Sequence, residues 1–408
     1  MILSTIKLRY KFTRVSNTCP AYYKIIIFLL VLQSLNPWFL WNDYLKYLIS
    51  GIAFLASCYL YVTNKINKKI KRNVITAALL FVLLIYLNTQ FNFNGILNKL
   101  ISAITYFLLI TGTSNEQKIE IWKFIQKCFA WILCISLIGW CFHLIGLDTP
   151  SYYTSFGHYE YYNHFLFLER VTSYTLVERF SSVFLEPGHV GTVLPLFLYI
   201  NGYDLKEKYN IIFLIALLFT LSLAGYVLLI IGFFFNLILK SKLRMSALIG
   251  FVVIIAGITL AIKTYNGGDN ILNNLIIMRL EMEDGKMAGD NRVSNYIQLK
   301  YEDVMNSSSR YMGLGTENVS KLTDGDEHGN AGYKLFILSH GLTGLILVLL
   351  LYGYYSLAQS NKLCCFTFYI LYCISFIQRS YPVWDIFLII LICGVPFLNA
   401  QYNNNRIL

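Results

Sequence analysis

Between Lys208 and Lys240 the chain runs for 31 residues without a charged side chain. Nothing else in the sequence limits the fold as strongly. A stretch this apolar either fills a large core or crosses a bilayer. Inside a bilayer the backbone must satisfy its own hydrogen bonds, which leaves helices or closed barrels. Further apolar runs of comparable character recur along all 408 residues. Many approach the ~20 residues that a helix needs to cross a hydrocarbon core of about 30 Å. A barrel would instead show short alternating segments. Composition agrees, with 56% hydrophobic and 13% charged residues, against about 25% charged in a soluble domain. The expected fold is therefore an all-α polytopic membrane protein.

Spans are predicted at about 22–41, 44–62, 74–91, 96–113, 122–147, 183–201, 209–221, 223–239, 246–263, 333–357, 363–379 and 382–399. The basic N-terminus "KLRYKFTR" precedes the first run with no small-residue cleavage site, so that run is expected to be retained as a span. The loop "TNKINKKIKRN" carries Lys65, Lys68, Lys69, Lys71 and Arg72, and the positive-inside rule puts it in the cytoplasm. The same rule gives a cytoplasmic N-terminus, and alternation then places "KIEIWK", "DLKEK", "KSKLR" and "QSNK" inside. Loops 148–182 and 264–332 fall outside, and the second is net acidic. The formal net charge of +11 sits largely in short loops, so topology explains it better than nucleic-acid binding does.

Residues 209–239 need a separate decision. At 1.5 Å per residue they would span about 46 Å as one helix, too long for one upright crossing and short for two. A single crossing would put Lys240, Lys242 and Arg244 outside. Two short spans meeting near Ser222–Gly225 keep them inside, which gives twelve spans with both termini cytoplasmic. The regions are then a five-span part at 1–147, an external loop at 148–182, spans six to nine at 183–263, a large external loop at 264–332 and a three-span part at 333–408. No internal repeat stands out, and the tail "NAQYNNN" is expected to be disordered. The nine cysteines fall in or beside apolar runs with no CxxC spacing, so neither a disulfide framework nor a zinc site is expected.

Chemistry concentrates at the external ends. "RFSSVFLEPGHVG" (179–191) opens the sixth span with Arg179, Glu186 and His189. Pro187 suits the first turn of a helix, and Glu186 before it faces the positive end of the helix dipole. Ionisable groups at such a mouth are costly and are usually functional. The large loop carries Arg292 in "GDNRVSNYIQL", a glycine turn "MGLGTEN", and His328 in "GDEHGN" before the tenth span. Asp324, Asp326 and Glu327 flank His328 without the spacing of a calcium loop. His340 reads as a helix residue, and nothing assigns a role to His158 or His164.

In order, these motifs are an Arg, "FLEPGHVG", the serine-containing break "TLSLAGYVLLI", a large loop with Arg and "GLG", and then a His leading into a span with "GLTGL". Over roughly residues 170–355 this order resembles the O-antigen polymerase (Wzy) family and is similar to the related O-antigen ligases. Two positions depart from the pattern: Gly329 separates His328 from Asn330, and Leu223 follows Ser222.

The resemblance implies a metal-independent membrane glycosyltransferase of the GT-C type in the bacterial cytoplasmic (inner) membrane, with no cofactor. Its substrates would be undecaprenyl-pyrophosphate-linked glycans at the outer leaflet. Membrane lipids, a chain-length regulator and a flippase are the expected partners, and nucleic acid is not. The chemistry fits the residues. A departing pyrophosphate without a fixed metal needs guanidinium clamps, for which Arg179 and Arg292 are the candidates. His328, whose ordinary pKa suits proton transfer near neutrality, is the preferred base. Glu186 is the second choice for base, or else an orienting group that holds an arginine or the acceptor. His189, Ser222 and Tyr226 are the remaining substrate-binding candidates. A ligase is the alternative enzyme, and a lipid-linked sugar transporter or flippase, or a scaffold, the non-enzymatic one.

Overall fold

The structure is a computed structural model. It describes residues 18–64, 71–87, 93–147, 149–156, 159–164, 166–171, 178–240, 245–270, 273, 278, 282–283, 286–287, 294–323 and 332–404. Apolar helices occupy every stretch expected to be a span. They are α1 (Ala21–Ser34), α2 (Asp43–Thr63), α3 (Lys71–Leu87), α4 (Phe93–Gly112), α5 (Asn115–Leu144), α6 (Pro187–Ile200), α7 (Lys208–Phe219), α8 (Leu223–Lys240) and α9 (Met245–Thr264). The loop that follows holds α10 (Asn295–Met305) and α11 (Thr316–Thr323). The chain then forms α12 (Tyr333–Leu357), α13 (Lys362–Gln378), α14 (Asp385–Ile389), a π-helical turn at Ile390–Gly394, and α15 (Val395–Asn404). Among the described residues, four helices are long and apolar enough to cross a membrane: Tyr44–Thr63, Asn115–Leu144, Tyr333–Leu357 and Asp385–Asn403. The protein is thus helical and membrane-like in character.

Local chemistry sets the helix ends. Ser114 and Gln117 form a reciprocal capping box that starts α5. One turn later Lys118 is fully buried and its Nζ donates to the Ile110 carbonyl at 3.0 Å, a cation at the negative end of α4. Polar ties then sort the helix ends into two sets. Asn64, after α2, donates to the Gly112 carbonyl that ends α4 and to Gln117 at the start of α5. Gln126, Asn201 and Asn210 link α5, the end of α6 and the start of α7. Ser360 and Asn361 hold Asn399. At the other ends, Trp384 Nε1 donates to the Ser34 carbonyl closing α1, and Tyr86 Oη donates to the His340 carbonyl. The first set gathers the ends of α2, α4 and α6 with the starts of α5 and α7, and the second joins the end of α1 and the end of α3 to the segments around Trp384 and His340.

α6 is the buried hub, with every residue from Val190 to Ile200 out of solvent. It packs on α7, α8 and α13. The crossing with α8 is close because two glycines meet: a Cβ on Gly225 would lie 2.9 Å from the Gly191 Cα. The helical hairpin α7–α8 turns at Thr220–Ser222, with Leu221 at φ 45°, where the serine-containing break predicts it.

α12 is two helical halves rather than one straight rod. Gly341 sits at φ 63°, ψ −174°, which interrupts the helix and frees carbonyls above it. The "GLG" turn of the large loop takes them, the Leu314 amide donating to Leu338 O at 2.7 Å and the Gly315 amide to Ser339 O at 3.0 Å. In return the Thr343 amide donates to Tyr311 O at 3.1 Å. Irregular backbone inside an apolar helix is tolerated where protein satisfies it. The loop is thereby anchored on the bundle, with α10 and α11 against α12.

Two expectations are corrected. The fold is not all helix: β1 (Ser151–Phe156), β2 (Tyr159–His164) and β3 (Phe167–Arg170) form an antiparallel sheet. Its aromatic-rich segments suit a pleated surface, and Tyr153 pairs with Tyr162 across it. A short pair, β4 (Met282–Glu283) and β5 (Lys286–Met287), lies in the large loop. The tail is also ordered as far as Asn404, because Tyr402 is buried and its hydroxyl donates to Asn236 Oδ1 at 2.8 Å.

Candidate functional site

α6 begins with Glu186 as N-cap and Pro187 at the first helical position. The Glu186 side chain does not cap its own helix. It forms an ion pair with Arg379, the residue that ends α13. The two side chains are 26% and 15% exposed, so the pair is largely shielded from water and its attraction is stronger than at a surface. Gly188 makes the room: a Cβ there would lie 2.8 Å from Arg379 Nη2. One helical turn along, the His189 ring lies 5.2 Å from that of Trp384 and 5.9 Å from that of Tyr381. Arg379 Nε and His189 Nε2 are both buried and without a hydrogen-bond partner. Buried polar atoms are usually satisfied, so two orphans in one place mark a site that expects further oxygen or hydroxyl groups.

Arg179 stands at the tip of the α7–α8 hairpin, where its Nε donates to the Thr220 carbonyl at 2.8 Å. The amide of Phe180 donates to Phe219 O at 3.0 Å, which fixes this segment on the hairpin. Tyr226 is one turn into α8, its hydroxyl donating to the Leu218 carbonyl. Ser222 is buried in the α6–α8 crossing, where its Oγ accepts the Gly225 amide at 3.4 Å and a Gly191 Cβ would touch it at 2.6 Å. Its visible work is to cap and pack α8. The structure therefore brings Glu186, His189, Arg179, Ser222 and Tyr226 to one end of α6 and α8. Arg292 and His328 lie outside the described residues.

Sequence reasoning missed Arg379, Tyr381 and Trp384. The signal was "QRSYPVWD" (378–385), an arginine at the end of an apolar run followed by aromatics. It has the same charged-mouth character as "EPGH", yet along the chain it reads only as a loop between two spans.

A second group of ionisable residues gathers where α5 meets the sheet. His143, in the last turn of α5, places its Nε2 2.9 Å from Glu178 Oε2 and 3.7 Å from Glu169 Oε2. His164 Nε2 is 3.1 Å from the same Glu169 oxygen, and its Nδ1 is 2.8 Å from Thr149 Oγ1. Burial, with Glu169 beside it and only partly offset by Trp140, pushes the Glu178 carboxyl up to about 7. The hydrogen bond from His164 holds Glu169 below the usual carboxylate range. The segment 178–184 ties this group to the hub, with Ser181 Oγ donating to Leu168 O at 2.7 Å and the Leu168 amide to Ser182 O at 3.2 Å.

No protein-family model matches the chain, and no curated protein does.

Proposed function

We propose that the protein is a multi-pass membrane glycosyltransferase that polymerises lipid-linked oligosaccharide repeat units at the outer leaflet of the bacterial cytoplasmic membrane. The observation that carries this is the charged mouth of α6. There Glu186 holds Arg379, and Arg379 Nε and His189 Nε2 are buried without hydrogen-bond partners. A guanidinium suits an anionic pyrophosphate because it grips phosphate oxygens in pairs. Tyr381 and Trp384 beside it offer flat apolar faces of the kind that stack on sugar rings. Arg379 thus joins Arg179 and Arg292 as a phosphate ligand. Glu186 is the orienting carboxylate, because an ion pair and a helix N-terminus both keep it ionised and make it a weak base. His328 remains the proposed base for the acceptor hydroxyl.

The apolar helices at each expected span favour twelve passages, and the basic loops and basic N-terminus favour cytoplasmic termini. The ligated break in α12 supports an external loop seated over the membrane end. The described part of α6 beyond His189 carries no charged side chain, which favours chemistry at one face over a polar path through the bundle. That weighs for an enzyme and against a flippase.

The test is reconstitution of the purified chain with lipid-linked repeat units. A polymerase lengthens the glycan on its pyrophosphate carrier. Transfer of the glycan to a different acceptor would make it a ligase, and no glycan transfer of either kind would remove the enzyme reading.

A further inference from the structure

Four side chains from four separate pieces of chain converge outside the site above. His143 comes from the end of α5, His164 from the end of β2, Glu169 from β3 and Glu178 from the segment leading into α6. One donor atom from each of His143, His164 and Glu169 lies within 4.8 Å of the others. In a tetrahedral site with metal–nitrogen and metal–oxygen bonds near ~2.0–2.1 Å, neighbouring ligand atoms are about 3.3 Å apart. The separations of 3.1 Å (His164–Glu169) and 3.7 Å (His143–Glu169) bracket that edge.

The surroundings fit a cation as well. Metal-bound histidines almost always use their second nitrogen to donate to an oxygen that fixes the ring, and Thr149 Oγ1 stands at His164 Nδ1 in that role. Phe167 stacks flat on the same ring at 4.4 Å, holding it from the other side. The Glu178 carboxylate is largely buried and lies 2.9 Å from His143 Nε2, which sets it at the edge of the cluster. Metal binding uses the carboxylate and the neutral imidazole forms, so a bound set of two of each carries two negative charges, which one divalent ion balances.

We propose that His143, His164 and Glu169, with Glu178 closing the fourth position, bind one divalent transition-metal ion of the zinc class, pinning the external sheet to the end of α5. Four protein donors and no free coordination position make this a structural rather than a catalytic site. The ion takes no part in glycosyl transfer, so the inference stands whether or not the polymerase reading does. The ligand set was hidden in the sequence because its members lie in four elements and show no short spacing.

The experiment uses the full chain, purified in detergent without a polyhistidine tag and stripped with chelator. Co2+ is titrated in and its visible absorption recorded, with Zn2+ as competitor. The expected result is the intense spectrum of four-coordinate Co2+ saturating at one equivalent and displaced by Zn2+. His164→Ala and the nearly isosteric Glu169→Gln should each lose saturable binding. Thr149→Val should keep it with affinity weakened about ten-fold or more. Thermal unfolding without metal, compared across the variants, shows that each is folded. Failure of the folded wild-type chain to give the spectrum overturns the proposal, leaving the cluster an ion-pair clamp. Binding unchanged in both folded His164→Ala and Glu169→Gln overturns it equally.

Discussion

The guanidinium of Arg379 meets the carboxylate of Glu186 across 193 positions of sequence, joining the C-cap of one helix to the N-cap of another. The pair ties the end of α13 to the start of α6. Breaking one partner strands the other charge in a shielded place, which costs more than the pair is worth.

Arg379→Lys should therefore cut polymer yield by about ten-fold or more, since a charged hydrogen bond of about 1.5–3 kcal/mol and the paired grip are both lost. Glu186→Gln keeps the shape and one acceptor oxygen, and should retain partial activity. Polymer yield at equal protein level is the measurement. Normal yield from Arg379→Lys would remove the arginine from the phosphate site.

Gly188→Ala separates geometry from charge. The added methyl lies 2.8 Å from Arg379 Nη2, so the guanidinium must move while every charge remains. Activity should fall several-fold with thermal stability in detergent nearly unchanged, as the displaced atom is the end of a flexible side chain. Loss of stability equal to loss of activity would show that the glycine serves packing alone.

Gly341→Ala should act in the opposite way. Its φ of 63° is unfavourable for alanine, and the Cβ would come to 2.3 Å from the Tyr311 carbonyl oxygen, which is backbone and cannot step aside. The expected destabilisation is at least about 1–3 kcal/mol from strain alone. The melting temperature of the purified chain reads it, and an unchanged value would mean that the "GLG" turn is not docked as described.

Topology is open to direct labelling. A cysteine at Ser308, beside α10, should react with an impermeant maleimide in intact cells whose outer membrane, if present, has been permeabilised. Reaction after lysis alone would turn the whole arrangement over, and the proposed chemistry with it.

Much of the helical plan was legible because lipid leaves the backbone few choices: the apolar runs, the positive loops and the break at Ser222–Gly225 led to helices that the structure contains. The mouth of α6 was legible from Glu186 and Pro187, whose positions follow from helix-end chemistry. What the sequence hid was pairing at a distance. Arg379 looked like the end of a span until its partner was in view, and His143 like one residue among many on α5. The sheet was missed although Tyr152–Tyr162 carried strand-type residues, because tyrosines beside a membrane suit an interfacial belt equally well. The break in α12 was invisible because "FILSHGLTGLIL" sits inside one long apolar run, and the amides that take its freed carbonyls come from distant residues 314 and 315.

The central claim is that this chain joins lipid-linked repeat units into polymer. The lipid-linked glycan profile of a strain lacking the protein, with and without the wild-type chain restored, tests it most directly. The account predicts single repeat units on the lipid carrier and no polymer without the protein, and polymer again once it is restored. Polymer of normal length and yield in its absence would contradict it.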